Sequence, residues 1–130
     1  MDRILSFLKE NQPFYFTTVE DNKPRVRPFG FVMEWEGRLY FGMGKHKASY
    51  KQMLVNPNVE VCTTNAKNEW IRVKGTAILD DSQAALDQAF AVAPFLTQIY
   101  NQETGLTMGL CYLENIEAEI DDMKGHFEKV

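Results

Sequence analysis

Two short turns constrain this chain more than any other feature. Asp21-Asn22-Lys23 and Glu36-Gly37 separate three runs rich in β-branched and aromatic residues: Phe14-Tyr15-Phe16-Thr17-Thr18-Val19, residues 25–35, and Arg38-Leu39-Tyr40-Phe41. Parallel strands need a crossover of about a dozen residues, and neither turn has room for one, so the three runs form antiparallel strands. Val59-Glu60-Val61-Cys62-Thr63 reads as a fourth strand. Trp70 to Leu79 reads as a fifth, with Gly75 marking a bulge or barrel bend. The last runs from about Leu106 to Ile120, and in its second half Ile116, Ala118 and Ile120 alternate with Glu117 and Glu119.

Helices are expected only at the margins. Ile4, Leu5 and Leu8 give residues 2–11 one apolar stripe, which Pro13 stops; Tyr50, Met53 and Leu54 do the same for residues 47–55, closed by Asn56-Pro57. Asp80-Asp81-Ser82 is an N-cap cluster for a third helix, bent or restarted at Pro94. A doubly wound parallel fold needs helices between most strands, and they are missing. The expectation is a mostly β (α+β) chain: six antiparallel strands closing into a barrel with short flanking helices, in one domain spanning residues 1–130.

Phe29-Gly30-Phe31-Val32-Met33, in the middle of the second strand, shows no polar alternation, so both faces of that strand are expected to be covered. A domain this small has no material to cover both, which predicts a homodimer. A net charge of −4 argues against nucleic acid as a partner. No apolar run approaches the roughly 20 residues that span a bilayer, and Met1-Asp2-Arg3-Ile4 does not read as a secretory signal. With only Cys62 and Cys111 there is no disulfide framework, and a reduced, cytoplasmic protein is expected.

No hydrolytic or metal-binding motif occurs. His46 and His126 lie far apart, and Gly42-Met43-Gly44 starts a dinucleotide fingerprint without finishing it. No catalytic side chain or metal ligand is assigned. The strongest local signal is Tyr40-Phe41-Gly42-Met43-Gly44-Lys45-His46-Lys47-Ala48, where a strand ends, glycines allow close approach, and a basic turn opens a helix. A helix N-terminus with added cations suits a phosphate; a solvated basic turn is the competing reading. Arg25 and Arg27, flanking Val26 and followed by Pro28, share one strand face that continues apolar through Phe29, Phe31 and Met33. An arginine there needs an anion, either a ligand or a carboxylate of the chain. Trp70 and Arg72 also share a face, suited to fencing a planar ring or to an interface. Cys62 and Cys111 read as small core residues.

Arg25-Val26-Arg27-Pro28-Phe29, Leu39-Tyr40-Phe41-Gly42, Lys47, Asn56-Pro57-Asn58-Val59-Glu60-Val61 and Trp70-Ile71-Arg72-Val73-Lys74-Gly75 form an ordered set that resembles the pyridoxamine 5′-phosphate oxidase-like, FMN-binding split-barrel superfamily, in its short branch of nitroimidazole-resistance-type proteins. The resemblance implies a six-stranded split barrel that dimerises and holds FMN in clefts at the subunit interface. It implies that Arg27 sits near the flavin, that the backbone of Tyr40 and Phe41 lies along it, and that Lys47 holds the phosphate with Lys45 and His46 beside it. Trp70 falls where the oxidases place a polar side chain toward the flavin, and with Tyr40 it is expected to wall a flat slot for an acceptor. The oxidases proper are longer and end in an arginine-bearing substrate segment, whereas this chain ends in Lys124-Gly125-His126-Phe127-Glu128, so the vitamin B6 reaction is not expected. The implied function is an FMN-dependent oxidoreductase working between a small-molecule donor and acceptor. A non-enzymatic flavin carrier or sensor, or a haem-binding split barrel, are the alternatives.

Overall fold

The computed structural model describes all 130 residues. In chain order the elements are α1 (Asp2–Glu10), β1 (Phe14–Glu20), β2 (Lys23–Phe29), β3 (Val32–Trp35), β4 (Arg38–Gly44), α2 (Ala48–Val55), β5 (Asn58–Thr64), β6 (Glu69–Leu79), α3 (Gln83–Val92), a 3-10 turn (Pro94–Gln98), β7 (Met108–Asp122) and β8 (Phe127–Lys129). Both short turns are tight hairpins. Asp21 and Asn22 have φ of 48° and 66°, and Glu36 and Gly37 have φ of 53° and 74°, the left-handed pair that matches the twist of the strands they join. Ser82 caps α3 by accepting from Ala85 N at 3.2 Å, and the chain restarts at Pro94, as the sequence implies.

All strand pairs are antiparallel, in the order β2-β1-β5-β6-β7-β4-β3, with β8 added to β7. The two edges of this sheet, β2 and β3, are consecutive in sequence and joined only by Gly30 and Phe31. The link spans about 11 Å at most, so the sheet must curl until its edges meet. The edges do not pair, which makes the barrel a split one. Eight strands replace the six expected: the single strand read over 25–35 is two, and β8 was not foreseen. The apolar run 29–33 conceals the break because it contains no polar residue to mark it.

The inner face carries the main core. Phe14 and Phe16 of β1, Val32 of β3, Leu39 and Phe41 of β4, Val61 of β5 and Ile71 and Val73 of β6 are buried there, with Ile4 and Leu8 of α1 and Tyr50 and Met53 of α2 closing over them. Phe16 stacks on Phe29 and meets Phe41 edge-on. A second core lies outside the barrel, where Ala85, Ala89, Ala93 and Leu96 pack on Phe31, Met33, Tyr40, Met108 and Leu110. Side-chain parity therefore reverses at the break. Arg27 and Phe29 project inward, whereas Phe31 and Met33 project outward beneath α3, so the continuous apolar face expected from residue 25 to 33 does not exist. Within the single chain the second strand is not covered on both faces: β2 has no buried residue, and Val26 is 65% exposed. Cys111 is buried in the core as expected, but Cys62 is half-buried on the outer face between Tyr15 and Arg72.

The ladder between β6 and β7 slips by one residue at Gly75, where β7 gains an extra residue around Asn115, whose φ is 54°. A Cβ on Gly75 would lie 2.8 Å from the Glu114 carbonyl oxygen, which no flexible side chain can relieve. Gly75→Ala is expected to destabilise the barrel by about 1–3 kcal/mol, the usual scale of overpacking, read as a lower urea midpoint with an unchanged slope. An unchanged midpoint would show that the bulge tolerates the methyl group.

Candidate functional site

The split leaves β2 and β3 as unpaired edges, and α2 packs on β1 and β4 beside them. β3 pairs with β4 only as far as Phe41, so Gly42, Met43 and Gly44 extend beyond it. Arg27 projects from β2 into this region. Its Nη1 donates to the Phe16 carbonyl at 3.1 Å, the Arg25 carbonyl at 3.2 Å and Thr18 Oγ1 at 2.9 Å, and its Nη2 donates to Gln52 Oε1 at 2.9 Å. None of these acceptors is a carboxylate. Burial pulls the guanidinium below its usual pKa, with no opposing charge to restore it.

Gln52 lies on α2, one residue after Lys51 and five after Lys47, which is ~7.5 Å along the helix axis. Lys47 and Lys51 share an exposed stripe of α2, while Gln52 is buried against β1. Lys47 is the N-cap residue, no side chain caps α2, and no acidic residue occupies its first turn. Its leading N–H groups and partial positive charge are thus left for an outside acceptor. His46 is exposed beside them.

The other arginines and lysines named from the sequence are differently engaged. Arg25 pairs with Glu20 across the hairpin at 3.1 Å, which is the carboxylate alternative. Lys45 pairs with Asp81 at 2.9 Å, which raises the lysine pKa. It thereby ties the β4–α2 turn to the start of α3. Arg72 pairs with Glu119 and lies 3.9 Å from Asp121 on the outer face, where Trp70 is also found. Pro28 is exposed on the outer face of β2. The structure therefore brings together Arg27 and α2 with Lys47, but not Trp70 or Arg72.

Tyr40 and Phe41 hold the strand without lining a slot. Both are 1% exposed or less, and at these residues β4 is paired on both edges, to β3 and to β7. Their backbone hydrogen-bonding groups face β3 and β7. Tyr40 packs against Trp35 and Tyr112 at 5.8 and 5.4 Å, and its hydroxyl donates to Asp80 Oδ2 at 2.8 Å. Along β6, Trp70 is eight residues from Ile78, the residue level with Tyr112 and Tyr40. At about 3.3 Å per residue that is ~26 Å, so Trp70 and Tyr40 cannot wall one slot in a single chain. Thr18 and Gln52 went unnoticed in the sequence. The available signal was a glutamine next to Met53 on the buried side of a short helix.

No three His, Cys, Asp or Glu side chains converge to hold a metal ion, and no helix is long and apolar enough to cross a membrane. The topology defines the class: an antiparallel split barrel whose edge strand β2 reaches α2 through Arg27. The model of the pyridoxamine 5′-phosphate oxidase family matches residues 1–121, and the chain belongs to that family. A NimC/NimA family protein from Clostridium acetobutylicum is 40% identical, over 99% of this chain and 90% of its own, with a TM-score of 0.90. General Stress Protein 26 from Bacillus anthracis shares the fold at 17% identity, over 99% and 97% of the two chains, with a TM-score of 0.70. So does a pyridoxamine 5′-phosphate oxidase-related, FMN binding protein from Nostoc punctiforme, at 17% identity over 99% and 95%, with a TM-score of 0.64. No functionally curated protein matches the chain.

Burial, and then the Asp80 carboxylate, push the Tyr40 phenol up to about 12. Burial alone would raise Asp80 as well, but hydrogen bonds from Ser82 and Tyr40 outweigh it and hold Asp80 below its usual value. The folded chain keeps the Tyr40 proton above pH 10, where the unfolded chain releases it. Stability present below pH 10 is accordingly lost as the pH rises through about 12. Tyr40→Phe is expected to cost about 1 kcal/mol at neutral pH and to flatten the alkaline decline, measured by urea unfolding from neutral to strongly alkaline buffer. An identical decline in the variant would assign the alkaline loss to other groups.

Proposed function

We propose that the chain is an FMN-binding oxidoreductase that acts as a homodimer and passes electrons from a nicotinamide or other donor to a small acceptor. One observation carries this reading: Arg27 is a half-buried cation that no carboxylate of the chain neutralises, reaching the helix whose uncapped N-terminus bears Lys47. Such a charge is costly until an anion meets it. A fork-shaped guanidinium, two lysines on one helix stripe and free backbone N–H groups suit the phosphate of FMN. FMN, when bound, takes up hydride and hands electrons on by itself, so the residues here need only bind and orient it. Membership of the oxidase family, and the FMN binding protein among its fold relatives, support the cofactor.

The outer face supports the dimer. α3 covers the outside of β3, β4 and β7, but nothing covers β2, β1, β5 and β6, where Val26 is 65% and Tyr15 48% exposed beside Pro28. Grooves of about 440 and 470 Å³ on this side share Glu60, Lys74 and Glu117, and neither touches Arg27 or α2. A second copy set against this face would bury Val26 and Tyr15. Trp70 and Arg72 point outward, so they would reach a flavin only from the partner.

Apo-protein is expected to bind FMN at least tenfold more tightly than riboflavin, and Lys47→Ala to weaken FMN by about tenfold, the scale of one charge-assisted hydrogen bond. Equal binding of the two flavins would refute the phosphate assignment. The same preparation, reduced without oxygen, should be reoxidised by a nitroaromatic faster than an unrelated flavoprotein is. Reduced flavin that persists would leave a carrier in place of an enzyme.

Sedimentation at low micromolar concentration should give about 30 kDa, twice the 15.0 kDa chain, for one isologous interface. A 15.0 kDa species that retains flavin would rule out the shared cleft.

A further inference from the structure

A guanidinium has an end-on edge, formed by Nη1 and Nη2, and a side-on edge, formed by Nε and Nη2. At Arg27 the acceptors are unevenly shared. Thr18 Oγ1 takes Nη1 and Gln52 Oε1 takes Nη2, each at 2.9 Å. The two acceptors are themselves joined, because the Thr18 hydroxyl donates to Gln52 Oε1 at 2.5 Å. Two oxygens that close together, one on each terminal nitrogen, can only face the end-on edge. Gln52 must present its carbonyl oxygen there, since both of its partners are donors. The Phe16 and Arg25 carbonyls also fall on Nη1. The chain's acceptors thus leave Nε–H and one Nη2–H free, which is the side-on pair that grips two oxygens of a phosphate or carboxylate in parallel.

We propose that Thr18 and Gln52 are positioning residues: together they clamp the end-on edge of Arg27 and so present its side-on edge to the phosphate of the bound ligand. This rests on the FMN reading of the same site. Both residues are suited to the task. Thr18 is fully buried on the inner face of β1 and Gln52 nearly so on α2, so the clamp is fixed by the packing of a helix on a strand. Both are neutral, so they hold the guanidinium without cancelling its charge, as an aspartate or glutamate in either place would.

The direct test is the Arg27 Nε–H resonance in nitrogen-15 NMR of the full chain, assigned by its loss in Arg27→Lys. Inorganic phosphate should shift it and slow its exchange with water; no shift at any tolerated phosphate concentration overturns the proposal. The second test is FMN and riboflavin affinity in Gln52→Met and Thr18→Val, which keep volume and remove an acceptor. FMN should weaken about tenfold while riboflavin is unchanged, and Thr18→Ser should restore the wild-type preference. Equal loss of both flavins would mean that the pair only supports packing, and would overturn the clamp while leaving the FMN reading intact. A phosphate shift at Nε–H without any preference for FMN in the wild type would do the reverse: the clamp would stand and the flavin reading would fall.

Discussion

The passage from β2 to β3 through Gly30 and Phe31 governs the rest of this structure. A sheet whose two edges are consecutive strands cannot stay open, because two residues cannot bridge its width. Curling brings apolar inner-face residues of β1 to β7 onto one core, which α1 and α2 plug with Ile4, Leu8, Tyr50 and Met53. The same link reverses side-chain parity, and that reversal creates the second core by turning Phe31 and Met33 outward beneath α3. It also leaves the edges unpaired. A fully laddered barrel would leave β2 no free edge.

The charges on this acidic chain follow a pattern around that edge. Arg3, Arg25, Lys45, Arg72 and Lys74 each pair with a carboxylate at the surface. Such pairs add little stability. Arg27 is different in kind, being partly desolvated and held by neutral oxygens alone. Lys45 shows the contrast within one turn: it directly follows β4, yet Asp81 takes its charge and leaves Lys47 and Lys51 as the cations of α2 that pair with no carboxylate. An anion reaching Arg27 and α2 would therefore meet charge from two elements that do not neighbour each other in sequence.

Much of this was legible in the sequence because its signals are local. Asp21-Asn22 and Glu36-Gly37 announce their hairpins through residues that tolerate positive φ, Ser82 announces its helix, and Gly75 announces the bulge although the extra residue lies opposite, at Asn115. What was hidden depends on tertiary pairing. The break at Gly30 sits inside an unbroken apolar run, and β8 is three exposed residues with no burial pattern to read. Arg25 and Arg27 look alike in sequence; Glu20 sits across the hairpin from one and not from the other. Tyr40 looked like a ligand wall since aromatic strand ends often are, but Asp80, forty residues on, claims its hydroxyl. Thr18 carries no sequence signature and Gln52 only its place beside Met53, because a threonine in a strand and a glutamine in a helix are ordinary until burial makes them partners.

One strand carries two unsatisfied features. The inner face of β2 bears Arg27, short of a counter-ion, and its outer face bears Val26 and Pro28, short of a cover. Alternate residues of a strand share one backbone, so whatever orders one face of β2 restricts the other. β2 is also a sheet edge, laddered to β1 alone, so no second strand fixes its position. Contacts on its outer face and an anion at Arg27 would each stabilise the same placement of β2. Two ligands that favour one conformation strengthen each other's binding by the same free energy. Under the FMN and dimer readings, the unpaired seam would thus couple the site to the uncovered face beside it.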